Sequence, residues 1–381
     1  DMILITIDTL RWDHLGFAGY SRSDISPHID ALAARSVVAE NAYSISAKTP
    51  TAVPPMLASR WPSEMPRSDQ HFVRYRNSNL YVAEVMAEAG YHTAASVAHW
   101  YFRPSYGFAD GFEDWREYWR SGDQMERIPT SEQVADNAIA ILDEFYRARE
   151  AGESDEPLFL WVHFFDPHKL YIEHDGIPSY GNTDVDLYDG EIRFTDLHLG
   201  RVLQTVRDWG FEEDTVVVLT ADHGEAFGEH DMEYHGWDLY EHQIRVPLVA
   251  HVPGVEPRRV EERLSIVDIA PTLVDLAGAD VPESFRGTSW VPWLESGREP
   301  TQRAIFTEMP AGPYNTPKRS LTLGDWKLIH HPNGRLYRLF NLAEDPGELN
   351  DLWESEPEQA QRMRDLYEAF LATRVDAVAP D

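Results

Sequence analysis

The segment from Thr215 to Pro247 opens with four aliphatic residues, Val216 to Leu219, and soon after delivers Asp222, His223 and Gly224 in succession. A run that short and that apolar fills a buried parallel strand. The carboxylate and imidazole then sit where the strand ends, which is where ligands gather in open α/β sheets. The loop beyond carries Glu225, Glu229, His230, Asp231 and His235. Two further runs repeat the pattern: residues 2–7 (MILITI) stop at Asp8, and residues 157–165 (PLFLWVHFF) stop at Asp166, with His168 just after it. Carboxylates from separate strand ends can converge on one cation whose charge offsets theirs. Taken alone, Asp8 would serve equally well as a helix cap. His163 lies within its strand and reads as a hydrogen-bonded core histidine. His168, beyond the strand end, is a candidate acid for a leaving group.

Residues 44–62 (SISAKTPTAVPPMLASRWP) combine hydroxyls, the cations Lys48 and Arg60, and four prolines. Pro54 and Pro55 are expected to open a helical turn, where missing N–H groups cost least. Thr49 then lies just before a helix N-terminus, a position that favours anions. Its hydroxyl becomes a nucleophile if a metal lowers its pKa; otherwise a Thr before Pro is a turn residue. Helices are expected at 27–36, 80–89, 131–150 (with a Thr130–Gln133 capping box), 187–209 and 266–277. Strands are expected at 93–97 and 245–252, and 101–119 reads as a packed aromatic loop. After Trp293, short strands at 303–308, 319–323, 326–330 and 336–341 alternate with tight turns, and a helix at about 355–373 closes the chain. This order implies an α/β fold: a mixed, mostly parallel sheet sandwiched by helices over 1–298, with a small C-terminal antiparallel-sheet-plus-helix subdomain over 299–381.

Charge and composition narrow the chemistry. With 65 acidic against 33 basic residues the net charge is −32, which argues against nucleic acid as a partner. A small anionic substrate would need a metal and local cations to overcome that field. The absence of Cys removes disulfides, thiolate metal sites and cysteine nucleophiles together. No apolar run is long enough for a membrane span. The sequence starts at Asp1 inside an apolar run; if a leader was removed, a periplasmic or extracellular location is expected.

Taken in order, ITIDTLRWDHLG, NAYSISAKTPTAVPPMLASRWP, LYVAEVMAEAGYHTA, WVHFFDPHKLY, LTADHGEAFGEH with HGWDLYEHQIRVPL, SIVDIAPTLVDLAGADVP and WKLIHHPNGRLYRLFNLAEDPGELNDL resemble the sulfatase family of the alkaline phosphatase superfamily over nearly the whole chain. The resemblance implies an alkaline-phosphatase-like fold and a divalent metal on Asp8, Asp222 and His223. It puts Thr49 at the nucleophile position, also touching the metal. It puts His168 and His235 near the anionic group and leaving oxygen, and makes Lys48, Arg60 and Lys169 substrate-binding candidates.

The departures from the family pattern bear most on the reaction. Typical sulfatases carry Cys (sometimes Ser) in a Cys-x-Pro-x-Arg motif, which is converted to formylglycine; here the frame reads Thr49-Pro50-Thr51-Ala52-Val53, and Thr49 cannot become that aldehyde. The family's paired Asp is Asp8-Thr9, and His223 stands where Asn often accompanies calcium. Two Asp, one His and one Thr oxygen form a softer donor set than an all-oxygen cage, so one Mn or Zn ion is expected rather than Ca or Mg. This resembles the Thr-dependent branch that includes phosphoglycerol transferases and nucleotide phosphodiesterases. A second metal would need a spare Asp and His set; His163, Asp166 and His230 are the residues that could contribute.

The expected function is metal-dependent hydrolysis of a phosphate-type ester (phosphodiester, phosphomonoester or phosphonate ester) through Thr49. The alternatives are a sulfate ester hydrolase using unmodified Thr and a catalytically silent metal-binding homologue. Substrate-side loops are expected at 63–78, 101–128 and 170–186.

Overall fold

The computed structural model describes residues 1–119, 129–374 and 377. Its first half runs β1 (Met2–Ile7), α1 (Pro27–Ala33), β2 (Val37–Tyr43), α2 (Thr49–Leu57), α3 (Val82–Glu88), β3 (His92–Ala98), β4 (Asp114–Tyr118), α4 (Ser131–Glu150), β5 (Leu158–Phe164) and α5 (Asp184–Asp208). Then come β6 (Val216–Ala221), the hairpin of β7 (Ala226–Phe227) and β8 (Glu233–Tyr234), α6 (Glu241–Ile244), β9 (Arg245–Val246), β10 (Leu248–His251), β11 (Arg258–Ser265), α7 (Ile269–Leu276) and α8 (Val291–Ser296). The main sheet has the order β11-β2-β10-β6-β1-β5-β3-β4, with β9 added to β2. It is parallel except where β10 meets β2 and β6 and where β9 meets β2. Helix α5 packs on both α1 and α4, and α7 on both α2 and α3, which gives the sheet its two helical layers.

The strands at the centre are those with uninterrupted apolar sequence. Every residue of β1, β5 and β6 is buried, as strands covered on both faces require. The edges follow another logic. Both β4 (DWREY) and β11 (RRVEERLS) are charge-rich and half-buried, a composition that discourages pairing with a further strand. The stretch expected as a packed loop at 101–119 therefore contains β4. Residues 120–128 of the expected 101–128 loop lie outside the described residues. Pro247 splits the strand expected at 245–252 into β9 and β10.

The C-terminal segment forms an antiparallel sheet of β12 (Ile305–Met309), β13 (Lys318–Leu323), β14 (Trp326–His331) and β15 (Leu336–Asn341), followed by α9 (Pro357–Ala372). Phe306, Leu321, Leu328 and Leu339 from the sheet meet Met363 and Tyr367 from α9. A buried ion cluster ties this unit to the main body: Lys327 Nζ lies 2.9 Å from Glu241 of α6 and 2.8 Å from Glu348.

Two local expectations are corrected at helix starts. Helix α2 begins at Thr49 itself, so Pro54 and Pro55 lie inside it rather than opening it. Thr130 does not cap α4 with its own side chain. Asp166, at the end of β5, accepts the backbone N–H groups of Thr130 (2.9 Å) and Ser131 (2.8 Å) and the Ser131 hydroxyl (2.7 Å). The Asp166→Ala variant is expected to lose about 1–3 kcal/mol of stability by leaving those donors unpaired. Urea unfolding would measure the loss.

Candidate active site

Strand register brings the first two acidic residues together. The parallel ladder pairs Ile7 with Ala221, so the next residues, Asp8 and Asp222, leave the sheet side by side. His223 follows immediately, and Gly224 admits the returning chain: a Cβ there would lie 2.1 Å from the His242 carbonyl oxygen. Asp8, Asp222 and His223 are all buried, with ligand-type atoms mutually within 4.8 Å; among the described residues they form the one such metal-type cluster. His223 Nε2 lies 3.5 Å from Asp8 Oδ1 and 3.4 Å from Asp222 Oδ2. Thr49, the first residue of α2, puts Oγ1 at 3.1 Å from His223 Nε2 and 3.4 Å from both Asp8 oxygens.

Three features of this cluster fit a divalent cation. His223 Nδ1 lies 2.9 Å from the Gly224 carbonyl, which can only accept, so Nδ1 carries the proton and Nε2 turns its lone pair toward the carboxylates. Asp222 Oδ1 is saturated by the N–H groups of Thr9 (3.3 Å) and His223 (2.9 Å), whereas Oδ2 is buried without a hydrogen-bond partner. Burial, then the charges of Asp222 and Glu225, push the Asp8 carboxyl well above the usual carboxylate range. Lone pairs and carboxylates facing one another in a dry site call for a cation.

Asp8 of this cluster, with Thr49, opens onto a cavity of about 340 Å³. Lys48, His168, Lys169 and His235 line it with Asp8 and Thr49. Lys48 reaches across Gly236, where a Cβ would lie 2.4 Å from its Cε, and donates to Asn315 Oδ1 (2.8 Å). Burial, then Lys318, lower the Lys48 ammonium to about 8. Lys169 Nζ lies 4.6 Å from the centre of the Tyr234 ring. His168 stacks on Phe165 at 4.5 Å and meets His235 at 5.0 Å, and the His235 ring is 4.6 Å from that of His223. Burial is the first cause holding both His168 and His235 well below the ordinary histidine value.

Arg60 is the expected substrate-binding residue that the cavity does not include. It follows the C-terminal end of α2, at the opposite end from Thr49, and donates to the Glu64 carbonyl (2.7 Å). The residues considered for a second metal are likewise dispersed. His163 is buried against Thr6 Oγ1 (2.7 Å), Asp166 caps α4, and His230 stacks on Tyr240 at 3.7 Å.

A model of the family described as sulfatase matches residues 1–279 of this sequence. The chain belongs to the sulfatase family. A second model, the C-terminal region of N-sulphoglucosamine sulphohydrolase, matches residues 228–376. Arylsulfatase K of Bos taurus is 32% identical over 174 residues, a match that takes in 43% of this chain and 32% of that protein. The human arylsulfatase K is 29% identical over 174 residues, again covering 43% of this chain and 32% of the relative. The match therefore spans about a third of the length of these curated relatives. Among solved structures, a putative sulfatase from Bacteroides fragilis superposes with a TM-score of 0.83 at 18% identity, covering 98% of this chain and 95% of that one. A phosphonate monoester hydrolase from Silicibacter pomeroyi gives 0.78 at 19% identity, covering 99% and 96%. At those identities the likeness is one of fold.

Sulfatases as a family bind a divalent metal, and the Asp8, Asp222 and His223 cluster is the candidate site for it here. The departures from the sulfatase pattern have structural correlates. Val53, at the position of the motif's Arg, is fully buried in the main core. Thr9, at the position of the second Asp, has φ +57°, rare for a β-branched residue, and this turns its N–H onto Asp222 while its own hydroxyl is buried without a partner. Two cavity histidines escaped sequence reasoning, His71 and His99. His99 follows the end of β3, the same kind of position as Asp8 and Asp222, and that was its available signal. Its φ is +83°, its Nδ1 accepts the Tyr101 N–H (3.3 Å), and burial lowers it to about 4. Its neutral ring therefore offers an Nε2–H donor.

Proposed function

We propose that this chain is a metal-dependent hydrolase of phosphate-type esters, with Thr49 as nucleophile. The observation that carries the reading is the position of Thr49 Oγ1 at the helix start, 3.1 Å from His223 Nε2 and 3.4 Å from Asp8. Asp8, Asp222 and His223 would hold the ion, with manganese or zinc suited to their mixed oxygen and nitrogen donors. When bound, such an ion lowers the pKa of a hydroxyl it touches and offsets charge on the ester oxygens.

The chain's own residues supply the rest. Lys48 and Lys169 bring positive charge to the cavity for the anionic group, and the neutral His99 adds an N–H donor. Each of His168 and His235 has Nδ1 engaged, by the Lys169 carbonyl (2.6 Å) and by Glu225 (3.2 Å) respectively. The free Nε2 of such a ring can take the Thr49 proton as Oγ1 attacks phosphorus, and then give it to the departing oxygen. Water, deprotonated by the same ring, then hydrolyses the Thr49 ester, and the proton returns to Oγ1.

Phosphorus is favoured over sulfur because a threonine ester has no C–O cleavage route for expelling sulfate, unlike a formylglycine diol. The second reading, a sulfate ester hydrolase with unmodified threonine, draws support from the sulfatase family match and from the relatives named arylsulfatase K. A panel of p-nitrophenyl phosphate, phosphate diester, phosphonate and sulfate, assayed with manganese and with zinc, separates the readings. Faster turnover of a phosphorus ester is the expected result, and faster turnover of sulfate selects the second reading. Metal uptake without turnover of any ester would leave a silent metal-binding homologue.

A further inference from the structure

Glu225 is a fully buried carboxylate beside the metal-type cluster but outside it. Its backbone is pinned from two sides: its N–H donates to the His242 carbonyl (3.1 Å), and its carbonyl accepts from Arg11 Nη1 (3.0 Å). Its side chain is equally placed. The Tyr171 hydroxyl donates to Oε2 at 2.9 Å, and His235 Nδ1 approaches Oε1 at 3.2 Å and Oε2 at 3.4 Å. Nothing in the reaction outlined above needs this carboxylate to touch substrate.

We propose that Glu225 is a positioning residue that makes His235 the proton carrier of the site, and this rests on the ester-hydrolase reading. In its ionised form Glu225 can only accept, and so fixes the proton on His235 Nδ1 and leaves Nε2 as the lone pair for the cavity that His235 lines. When Nε2 takes the Thr49 proton, the imidazolium keeps its Nδ1–H on Glu225, and that negative charge balances the new positive one. The same proton then leaves Nε2 for the departing oxygen, so one proton is gained and lost. His168 lacks this balance, since its Nδ1 faces the neutral carbonyl of Lys169, which also brings its own cation to the cavity. Tyr171 completes the device by holding Oε2, which keeps the carboxylate turned toward His235.

Four readouts on the zinc-loaded full chain test this. Long-range ¹H–¹⁵N correlation spectra should show His235 protonated at Nδ1 in the wild type and released from that single tautomer in Glu225→Ala. The Glu225→Gln variant should lower kcat at least about tenfold, with KM changed less than about twofold and zinc content unchanged. The loss should be larger for a phenyl ester than for its p-nitrophenyl counterpart, whose leaving oxygen needs less protonation. In a His235→Ala background, Glu225→Gln should cost less than about twofold more. The proposal is overturned by loss of zinc in Glu225→Gln, by equal losses on the two esters, by a further tenfold fall in the His235→Ala background, or by His235 protonated at Nε2 in the wild type. If the wild type turns over no ester, the hydrolase reading fails, and the tautomer measurement still decides whether Glu225 positions His235.

Discussion

The Thr49→Ala variant is expected to lose turnover by roughly 10⁴-fold or more, about 5 kcal/mol of transition-state stabilisation, while still taking up metal. Thr49, which lines the cavity, holds its Oγ1 against both Asp8 and His223. Removing it leaves the cluster of Asp8, Asp222 and His223 intact. Binding and electrostatics would then supply only the residual rate that remains when a nucleophile is deleted. The Thr49→Ser variant keeps a hydroxyl in the same place and should retain measurable turnover. Steady-state rates on the best ester of the panel, paired with metal analysis of each variant, provide the check. Turnover in Thr49→Ala equal to the wild type would remove the nucleophile assignment.

The second large effect concerns stability, and it changes sign with metal. Asp8, Asp222 and Glu225 are buried within one neighbourhood, and their mutual repulsion adds to the cost of burial. In chelator, Asp8→Asn should therefore be more stable than the wild type by about 1–2 kcal/mol, since it removes one buried charge and keeps the shape. With zinc or manganese added the order should invert. A cation at 100 times its Kd stabilises the wild type by about 2.7 kcal/mol, and Asp8→Asn should gain little of that. Thermal unfolding with and without metal reads both halves at once. An Asp8→Asn protein that is less stable in chelator, or that gains as much from metal as the wild type, would contradict the cation site.

What could be read from the sequence follows from how strongly burial writes itself into residue choice. β1, β5 and β6 lie at the centre of the sheet, so they must be apolar on both faces, and MILITI, LFLWVHF and VVVLTA are legible as strands. β4 and β11 are edges; they are only partly buried, and their charge-rich sequences carry little hydrophobic pattern. The short strand β15 (Leu336–Asn341) was visible because tight turns bracket it.

The metal-type cluster was legible for a related reason: it sits at the ends of those central strands, and register alone brings Asp8 beside Asp222. Arg60 was misplaced because a helix separates it from Thr49, and proximity in sequence exaggerated proximity in space. Asp166 resembled a ligand, being an acid at a strand end, yet it serves α4; which acid turns inward depends on a tertiary partner that no local pattern encodes. His99 offered only its place after a strand end, and its cavity-lining position depends on a positive φ that its sequence does not announce. Glu225 stood in plain view in the loop after Gly224, but only the fold shows that it meets His235 and Tyr171.

The claim on which the account depends is that one cation is gripped between the ends of β1 and β6 with a threonine oxygen against it. Anomalous diffraction at the zinc edge, from crystals grown with zinc, tests it directly. The account predicts one strong peak within about 2.0–2.2 Å of oxygen from both Asp8 and Asp222 and of His223 Nε2. Zinc held elsewhere, with Asp8 and Asp222 turned away from each other and no peak between them, would contradict it.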